Sequence, residues 1–281
     1  MPEGHTIHRL AAGYARRFGG RAVRADSPQG KFTDGAALVT GQRLAGTEAH
    51  GKHLFLGFAS SPGPAAAPAE EPVTWIHIHL GLYGTVRFGD GPPPPPAGQI
   101  RLRLATDEAH AELRGPTVCA LVTPGEKRAL TGRLGPDPLR ADADPERAWH
   151  RVSASRTPVA ALLLDQSVVA GVGNVYRAEV LFRHGIDPYR PGRSLTRGEW
   201  DALWSDLAGL MREGVRTGRI DTVRPQHTPE AMGRPPRVDD HGGEVYVYRR
   251  AGQPCYLCGT AVATAVLAGR NLFWCPGCQT R

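Results

Sequence analysis

The strongest constraint on this chain is the spacing of four cysteines near its C-terminal end. Cys255 and Cys258 form one C-x2-C pair, and after sixteen further residues Cys275 and Cys278 form a second. Each pair can turn two sulfurs towards one tetrahedral ion, while the segment between the pairs folds as a hairpin. The spacing predicts one zinc ion, which we expect to be structural because four thiolates leave no open coordination position. Two disulfides or unliganded thiols are the alternative.

Composition indicates a globular protein, and the charge is compatible with a polyanionic partner. The 281 residues are enough for about two domains, and a hydrophobic fraction of 41% is ordinary for such a protein. No run reaches the ~18–20 apolar residues of a membrane span, and the opening MPEGHTIHRL lacks the apolar core of a secretory signal. We therefore expect a cytoplasmic protein with reduced cysteines and no membrane partner. The formal net charge of +7 is compatible with nucleic acid binding.

The periodicity of apolar residues changes along the chain and predicts its domain organisation. A helical pattern up to Phe18 is followed by strand-like alternation, and the Pro-rich stretch at 60–73 is expected to be a loop. Helical spacing runs from Asp144 to Arg216, after which the polar stretch at 217–243 reads as a long loop or linker. These changes predict domains at 1–133, 134–243 and 244–281.

A glycine-containing break interrupts the helical pattern near Asn174. In Gly171-Val-Gly173-Asn174 the first helix stops, and Asn174 is expected to cap a second helix that starts at Val175. A helix N-terminus presented by such a turn suits a phosphate oxygen. An ordinary helical corner, with the asparagine as a cap, is the alternative.

The N-terminus offers a candidate nucleophile. Removal of Met1 would expose the secondary amine of Pro2, and α-amines have a pKa near 8, so a useful fraction is unprotonated at neutral pH. Such an amine can attack a sugar anomeric carbon and form an iminium ion, while Glu3 moves protons beside it. The mechanism requires loss of Met1, because with Met1 retained the Pro2 nitrogen is an amide. A proline without any chemical role is the alternative.

Two basic residues are candidates for contacts with phosphate. Lys52 is one of only three lysines in a chain whose other basic residues are arginines, so a lysine at this position is informative. Arg270 lies near the tip or in the second strand of the predicted zinc hairpin, where a guanidinium can reach a phosphate. For Arg270 a solvated surface position is the alternative.

These motifs together resemble the formamidopyrimidine-DNA glycosylase/endonuclease VIII family of base-excision repair enzymes. The resemblance rests on MPEG, GKHLFL, HLGLYG, AGVGNVYRAEVLF and GRNLFWCPGCQ, which follow one another along nearly the whole chain. It implies an α+β multidomain fold. In this fold an N-terminal helix and a two-layer β-sandwich would form a catalytic domain at 1–133. A helical domain with a helix-two-turns-helix element would follow at 134–243, and a zinc finger at 244–281.

The resemblance also assigns a catalytic set consisting of Pro2, Glu3, Lys52 and Arg270. Pro2 would attack C1′ of a flipped-out damaged nucleotide, Glu3 would donate the proton for opening of the sugar ring, and elimination would then cleave the strand. Lys52 matches the strand lysine of the family, and Lys52 and Arg270 would contact phosphates. The implied activities are those of a DNA glycosylase and an AP lyase.

The resemblance further assigns three residues to DNA binding. Asn174 would contact a phosphate, and Leu82 and Tyr83 would fill the gap that a flipped base leaves. For Leu82 and Tyr83, packing within the core of a strand is the alternative.

The endonuclease VIII branch of the family is favoured by MPEG and WCPGCQ, and it implies oxidised pyrimidines as substrates. His5 departs from the commoner residue after MPEG and leaves the fine substrate preference open. Alternatives are an 8-oxoguanine/formamidopyrimidine glycosylase, in which the loop at 217–243 can cover a flipped purine, and a zinc-finger protein that binds damaged DNA without catalysis. A ribosome-associated RNA-binding protein is a further alternative. We expect a monomer that binds damaged DNA and is therefore associated with the nucleoid.

Overall fold

The computed structural model describes residues 2–59, 72–238 and 243–280. Contacts within the chain divide it into two compact units. Pro2 and residues 6–133 belong to the first unit, while Glu3–His5 belong with the chain from Leu134 onwards to the second. Most of the predicted loop at 60–73 lies outside the described residues.

Helix α1 spans Gly4–Phe18 and carries the predicted helical pattern. Its first two residues, Gly4 and His5, belong to the second unit, and the rest of the helix belongs to the first. Its buried hydrophobic residues are spaced three or four apart, so one face of the helix enters the core. These residues are Ile7, Ala11, Tyr14 and Phe18. The last turn of the helix carries Arg16 and Arg17, whose positive charges interact favourably with the C-terminal end of the helix dipole.

Two antiparallel four-stranded sheets follow. Strands β1 (Arg24–Asp26), β5 (Thr85–Asp90), β6 (Ile100–Ala105) and β7 (Ala109–Arg114) form one sheet in the order β1-β6-β7-β5. Strands β2 (Arg43–His50), β3 (His53–Ala59), β4 (Thr74–His79) and β8 (Val118–Val122) form the other in the order β2-β3-β4-β8. Apolar residues of both sheets share one buried core with α1, which confirms the expected helix and two-layer β-sandwich.

Two short helices of this unit were not predicted. Helix α2, Thr33–Val39, follows β1, and helix α3, Pro124–Thr131, follows β8. Helix α3 begins with a capping box, in which the Thr123 side chain accepts from the Glu126 amide and the Glu126 side chain accepts from the Thr123 amide.

The second unit carries its helices between Pro145 and Met232 and ends in a two-stranded hairpin. Its helices are α4 (Pro145–Ser153), α5 (Val159–Leu164), α6 (Asn174–Arg183), α7 (Arg197–Thr217) and the single turn α8 (Pro229–Met232). Helix α7 starts at a capping box of Thr196 and Glu199 and ends at Gly218, which has a φ of 77°. Its apolar stripe packs into the core of the unit, as the spacing predicted.

Strands β9 (Ala263–Leu267) and β10 (Arg270–Trp274) form the hairpin between the two cysteine pairs. Its two-residue turn has positive φ angles at both Ala268 (52°) and Gly269 (69°), as a tight hairpin turn requires. Among the helices of the described residues, none is both long and apolar enough to cross a membrane.

Candidate active site and zinc centre

The Glu3 carboxylate lies at the N-terminus of α6. Its Oε2 accepts a hydrogen bond from the Gly173 amide at 2.8 Å, and its Oε1 accepts one from the Val175 amide at 2.9 Å. Glu3 has no solvent exposure. The first amides of a helix have no partner within the helix, and they carry the positive end of its dipole. A carboxyl group from a residue about 170 positions away therefore completes this helix end.

The predicted cap at this helix is wrong. Helix α6 begins at Asn174 itself, its N-cap residue is Gly173, and no side chain of the N-cap takes part. Glu3 instead accepts from the amides of Gly173 and Val175, and the Val175 amide is the one that a side chain at the N-cap position 173 could have satisfied. A Cβ added to Gly173 would lie only 2.3 Å from Glu3 Cδ, so the glycine is required by the close approach of the carboxylate.

The side chain of Asn174 instead joins α6 to the C-terminal hairpin. Its Nδ2 donates to the carbonyl oxygen of Asn271 at 2.8 Å, and its Oδ1 accepts from Arg177 Nη2 at 2.6 Å. Asn271 follows the exposed Arg270 at the start of β10. The helix start and the turn end of the hairpin, where Arg270 lies, are thus held together.

Arg177 is a buried cation that sequence reasoning did not place in the site. It has no solvent exposure, and its Nη1 donates to the carbonyl oxygen of Ala160 at 3.3 Å. Burial lowers the pKa of Arg177 to about 10; Glu3 opposes this shift and Arg270 adds to it. Because the charges of Glu3 and Arg270 both act on the pKa of Arg177, the three side chains lie near one another within the second unit. The signal in the sequence was a charged residue within a mostly apolar helical segment.

Glu179 is the second residue of α6 that sequence reasoning did not place. Its buried carboxylate accepts hydrogen bonds from the amides of Tyr246 (2.7 Å), Val247 (2.9 Å) and Tyr248 (2.8 Å) and from Thr222 Oγ1 (2.6 Å). One side chain therefore satisfies three consecutive amides of the segment that leads to the first cysteine pair.

The four C-terminal cysteines form one cluster. Their Sγ atoms all lie within 4.8 Å of one another, with 3.8 Å between Cys255 and Cys278 and 3.4 Å between Cys258 and Cys275. Four thiolates at ~2.3 Å from one tetrahedral zinc ion are about 3.8 Å apart, so the cluster fits the ion. Cys119 does not belong to this group, and burial raises the pKa of its thiol to about 12.

In the first unit, Lys52 lies in the two-residue turn between β2 and β3. Gly51 before it has a φ of 58°, and His50 and His53 pair across the turn. The resemblance had implied a lysine within a strand, but Lys52 lies at the tip of a hairpin. Pro2, the candidate nucleophile, is half-buried.

Leu82 and Tyr83 lie in the turn that follows β4. Leu82 is 43% exposed and Tyr83 is 85% exposed. The structure therefore does not support packing of either side chain in a core. Gly81 before them has a φ of 68°, and a Cβ there would lie 1.9 Å from Thr117 Oγ1, so this turn requires glycine.

Three family profiles match the chain. The N-terminal domain of formamidopyrimidine-DNA glycosylase matches residues 1–116, the formamidopyrimidine-DNA glycosylase H2TH domain matches 134–225, and a zinc finger found in formamidopyrimidine-DNA glycosylase and isoleucyl-tRNA synthetase matches 252–281. Endonuclease 8 1 of Mycobacterium tuberculosis is 51% identical over the full length of both chains. The formamidopyrimidine-DNA glycosylase of Laribacter hongkongensis is 30% identical over 99% of this chain and all of the relative.

Solved structures share the fold. The Lactococcus lactis glycosylase in complex with DNA that contains an abasic site superposes with a TM-score of 0.75 at 20% identity, over 99% of this chain and 100% of the other. The Thermus thermophilus MutM protein superposes with a TM-score of 0.73 at 28% identity, over 99% and 98% of the two chains. With the full-length relatives, these matches show that the chain belongs to the formamidopyrimidine-DNA glycosylase/endonuclease VIII family of DNA glycosylase/AP lyases.

Proposed function

We propose that this enzyme removes oxidised pyrimidines from DNA through an iminium ion on Pro2 and then cleaves the strand by elimination. The observation that carries the proposal is the buried carboxylate of Glu3, the residue directly after Pro2. Two backbone amides, of Gly173 and Val175, hold this carboxylate in place. The preference for pyrimidines rests on the higher identity to an endonuclease 8 (51%) than to a formamidopyrimidine-DNA glycosylase (30%).

The chemistry begins with the unprotonated amine of Pro2. Its lone pair forms a bond to C1′ while the bond from C1′ to the base breaks, and the departing base takes up a proton from water. The Pro2 nitrogen, now positively charged, gives its remaining proton to the Glu3 carboxylate. Glu3 passes this proton to O4′, so that the sugar ring opens and the C1′–N bond becomes an iminium ion. The iminium ion acidifies the C2′ proton, so the 3′ phosphate leaves by β-elimination. Loss of the 5′ phosphate by δ-elimination completes strand cleavage.

DNA binding in this proposal uses five side chains. Lys52 at its hairpin tip and Arg270 at the start of β10 contact phosphates, and Tyr83 and Leu82 fill the gap of the flipped base. Asn174 already uses one N–H of its amide on the Asn271 carbonyl, so its second N–H is the donor for a phosphate.

The zinc ion has a structural role in this proposal. Four thiolates would hold one ion and fix the base of the β9–β10 hairpin, and thereby the position of Arg270. The domains at 1–133, 134–243 and 244–281 would carry the nucleophile, the DNA-binding helices and the zinc hairpin, respectively. We propose that a single chain forms the complete site and that the enzyme works as a monomer.

Borohydride trapping on DNA with one abasic site tests the proposal. Zinc-loaded protein lacking Met1 is expected to form a covalent adduct at residue 2, and Pro2→Gly is expected to trap far more slowly because a primary amine replaces the secondary one. Duplexes with an oxidised pyrimidine or with 8-oxoguanine then separate the two branches. DNA binding without an adduct or strand cleavage would instead support a non-catalytic protein that binds damaged DNA.

A further inference from the structure

Arg177 is a buried cation for which the proposed chemistry provides no role. It lies three residues after Asn174 on α6 and has no solvent exposure. Burial lowers its pKa only to about 10, so the guanidinium stays charged at neutral pH. Its hydrogen bonds reach two neutral oxygens, Asn174 Oδ1 at 2.6 Å and the carbonyl oxygen of Ala160 at 3.3 Å. Its Nε has no hydrogen-bond partner in the described part of the chain.

No acidic side chain of the described residues forms an ion pair with this guanidinium. Glu3 is the acid whose charge acts on Arg177, but its carboxyl oxygens accept hydrogen bonds from the amides of Gly173 and Val175. Taking a charge out of water without pairing it is costly, so buried charges in proteins are ordinarily paired. The position of Arg177 therefore calls for an anion that none of the described residues supplies.

A second buried arginine of the same unit shows how such a group is satisfied by the protein alone. Arg250 is only 3% exposed. Its Nη1 and Nη2 donate to the carbonyl oxygens of Tyr246 and Pro254, and its Nε donates to Gln253 Oε1 at 3.2 Å. All three nitrogens of Arg250 thus have partners, whereas the Nε of Arg177 has none among the described residues.

An exposed cation lies near the buried one. Arg270 begins β10, and its charge adds to the effect of burial in lowering the pKa of Arg177, so the two guanidinium groups repel each other. Within the part of the chain that the structure describes, Arg270 makes no ion pair. Even with Glu3 ionised, two guanidinium groups and one carboxylate leave a net positive charge at this place. One further negative charge would balance it.

Arg177 also fixes the orientation of the Asn174 amide. A guanidinium group has only donors, so the atom that faces Arg177 Nη2 is the acceptor Oδ1 of Asn174. The amide nitrogen then lies on the other side, where it donates to the carbonyl oxygen of Asn271 at 2.8 Å. Its second N–H is the donor proposed for a phosphate. The hydrogen bond from a charged donor to Oδ1 polarises the amide and strengthens that N–H as a donor.

We propose that Arg177 is a positioning residue of the phosphate site at Asn174 and Arg270, and that a DNA phosphate supplies the negative charge which its buried guanidinium lacks. The inference rests on the proposed contact between Asn174 and a phosphate. Arg177 does not touch the DNA itself, since its side chain has no solvent exposure. It holds the Asn174 amide in the donating orientation and adds a positive charge behind it, which acts strongly because little water screens it.

The salt dependence of DNA binding tests this inference. A duplex with a tetrahydrofuran abasic-site analogue, which the enzyme cannot process, is titrated with zinc-loaded protein at several KCl concentrations, and fluorescence anisotropy gives the association constant. Arg177→Met and Arg177→Gln remove the charge, and the glutamine can still donate a hydrogen bond to Asn174. Arg177→Lys keeps the charge without the planar fork. Arg250→Met is the matched control, because it removes a buried arginine of the same unit that has no place in the proposed phosphate site.

We expect both neutral variants to bind about tenfold more weakly at ~0.1 M salt, and the slope of log association constant against log salt to become shallower by about 0.9, the share of one neutralised phosphate charge. Arg177→Lys and Arg250→Met should keep the wild-type slope, because a loss of folded protein lowers the amount of active enzyme and not the slope. Unchanged slopes for both neutral variants, or an equal change for Arg177→Lys or Arg250→Met, would overturn the inference and leave the proposed function intact. No binding of the duplex by the wild type would overturn both the proposed function and this inference.

Discussion

Replacement of Gly173 by alanine tests whether the position of the Glu3 carboxylate controls catalysis. The new Cβ would lie 2.3 Å from Glu3 Cδ and 2.5 Å from Oε1. Carbon atoms in contact are ordinarily about 3.5 Å apart, so the carboxylate must move by about 1 Å. The φ of Gly173 is −123°, which alanine adopts without strain, so this displacement is the main effect. A misplacement of about 1 Å in a catalytic group can cost about 100-fold in rate.

Single-turnover kinetics on DNA with one damaged base measure this loss directly. We expect base excision and borohydride trapping by Gly173→Ala to fall about 100-fold, while zinc content and DNA binding are retained. Gly198→Ala on α7 is the matched control, because a Cβ there would meet no atom within 4 Å. A rate for Gly173→Ala within about threefold of the wild type would refute the role assigned to the Glu3 position.

Three further predictions concern stability and the zinc centre. Glu179→Gln replaces an oxygen that accepts two hydrogen bonds by an amide group that cannot accept them, so urea unfolding should show a loss of about 3–5 kcal/mol in unfolding free energy. Glu213→Gln on the surface of α7 is the control and should leave the unfolding curve nearly unchanged. A loss under about 1 kcal/mol for Glu179→Gln would contradict the account of this carboxylate. Burial raises the pKa of Asp206, but hydrogen bonds from His184 and Arg183 outweigh it and hold that pKa well below its usual range. The resulting stabilisation is present above the pKa of Asp206 in the unfolded chain, about 3.9, and is lost as the pH falls. Asp206→Asn should therefore flatten the decline in unfolding free energy below about pH 5. An unchanged slope of unfolding free energy against pH would refute this account. Removal of zinc by a chelator should make the β9–β10 hairpin sensitive to protease while the first unit stays resistant, and an unchanged digestion pattern would contradict a structural zinc site.

Features that depend on local spacing could be predicted from the sequence. The alternation in β4 indicated a strand, the spacing of α7 indicated a buried stripe, and the cysteine pairs indicated the hairpin between them. The shared face of His77 and His79 could also be predicted, because in Trp75-Ile-His77-Ile-His79 a period of two places both histidines on one face of β4. The capping box of α3 was present in the sequence as well, but its eight residues carry too little apolar periodicity to reveal a helix.

Features that depend on distant partners could not be predicted. The first amides of α6 are satisfied by Glu3, and the carboxylate of Glu179 is satisfied by amides that lie 67 to 69 residues further along the chain. Read locally, Asn174 was the best cap for a helix start, and Glu179 was a polar residue on a helix surface. Only the tertiary fold makes the first assignment wrong and turns the second residue into a buried structural acceptor.

The position of Glu3 also bears on the order of proton transfers in the proposed mechanism. Two backbone amides and the positive end of α6 stabilise its ionised form, so in the resting enzyme Glu3 is better suited to accept a proton than to donate one. When the neutral amine of Pro2 attacks C1′, its nitrogen acquires a positive charge and loses its remaining proton readily. The adjacent carboxylate can accept that proton and then deliver it to O4′ as the sugar ring opens. Glu3 would therefore act as a relay between the nucleophile and the ring oxygen, and the proton needed for ring opening would come from Pro2 itself.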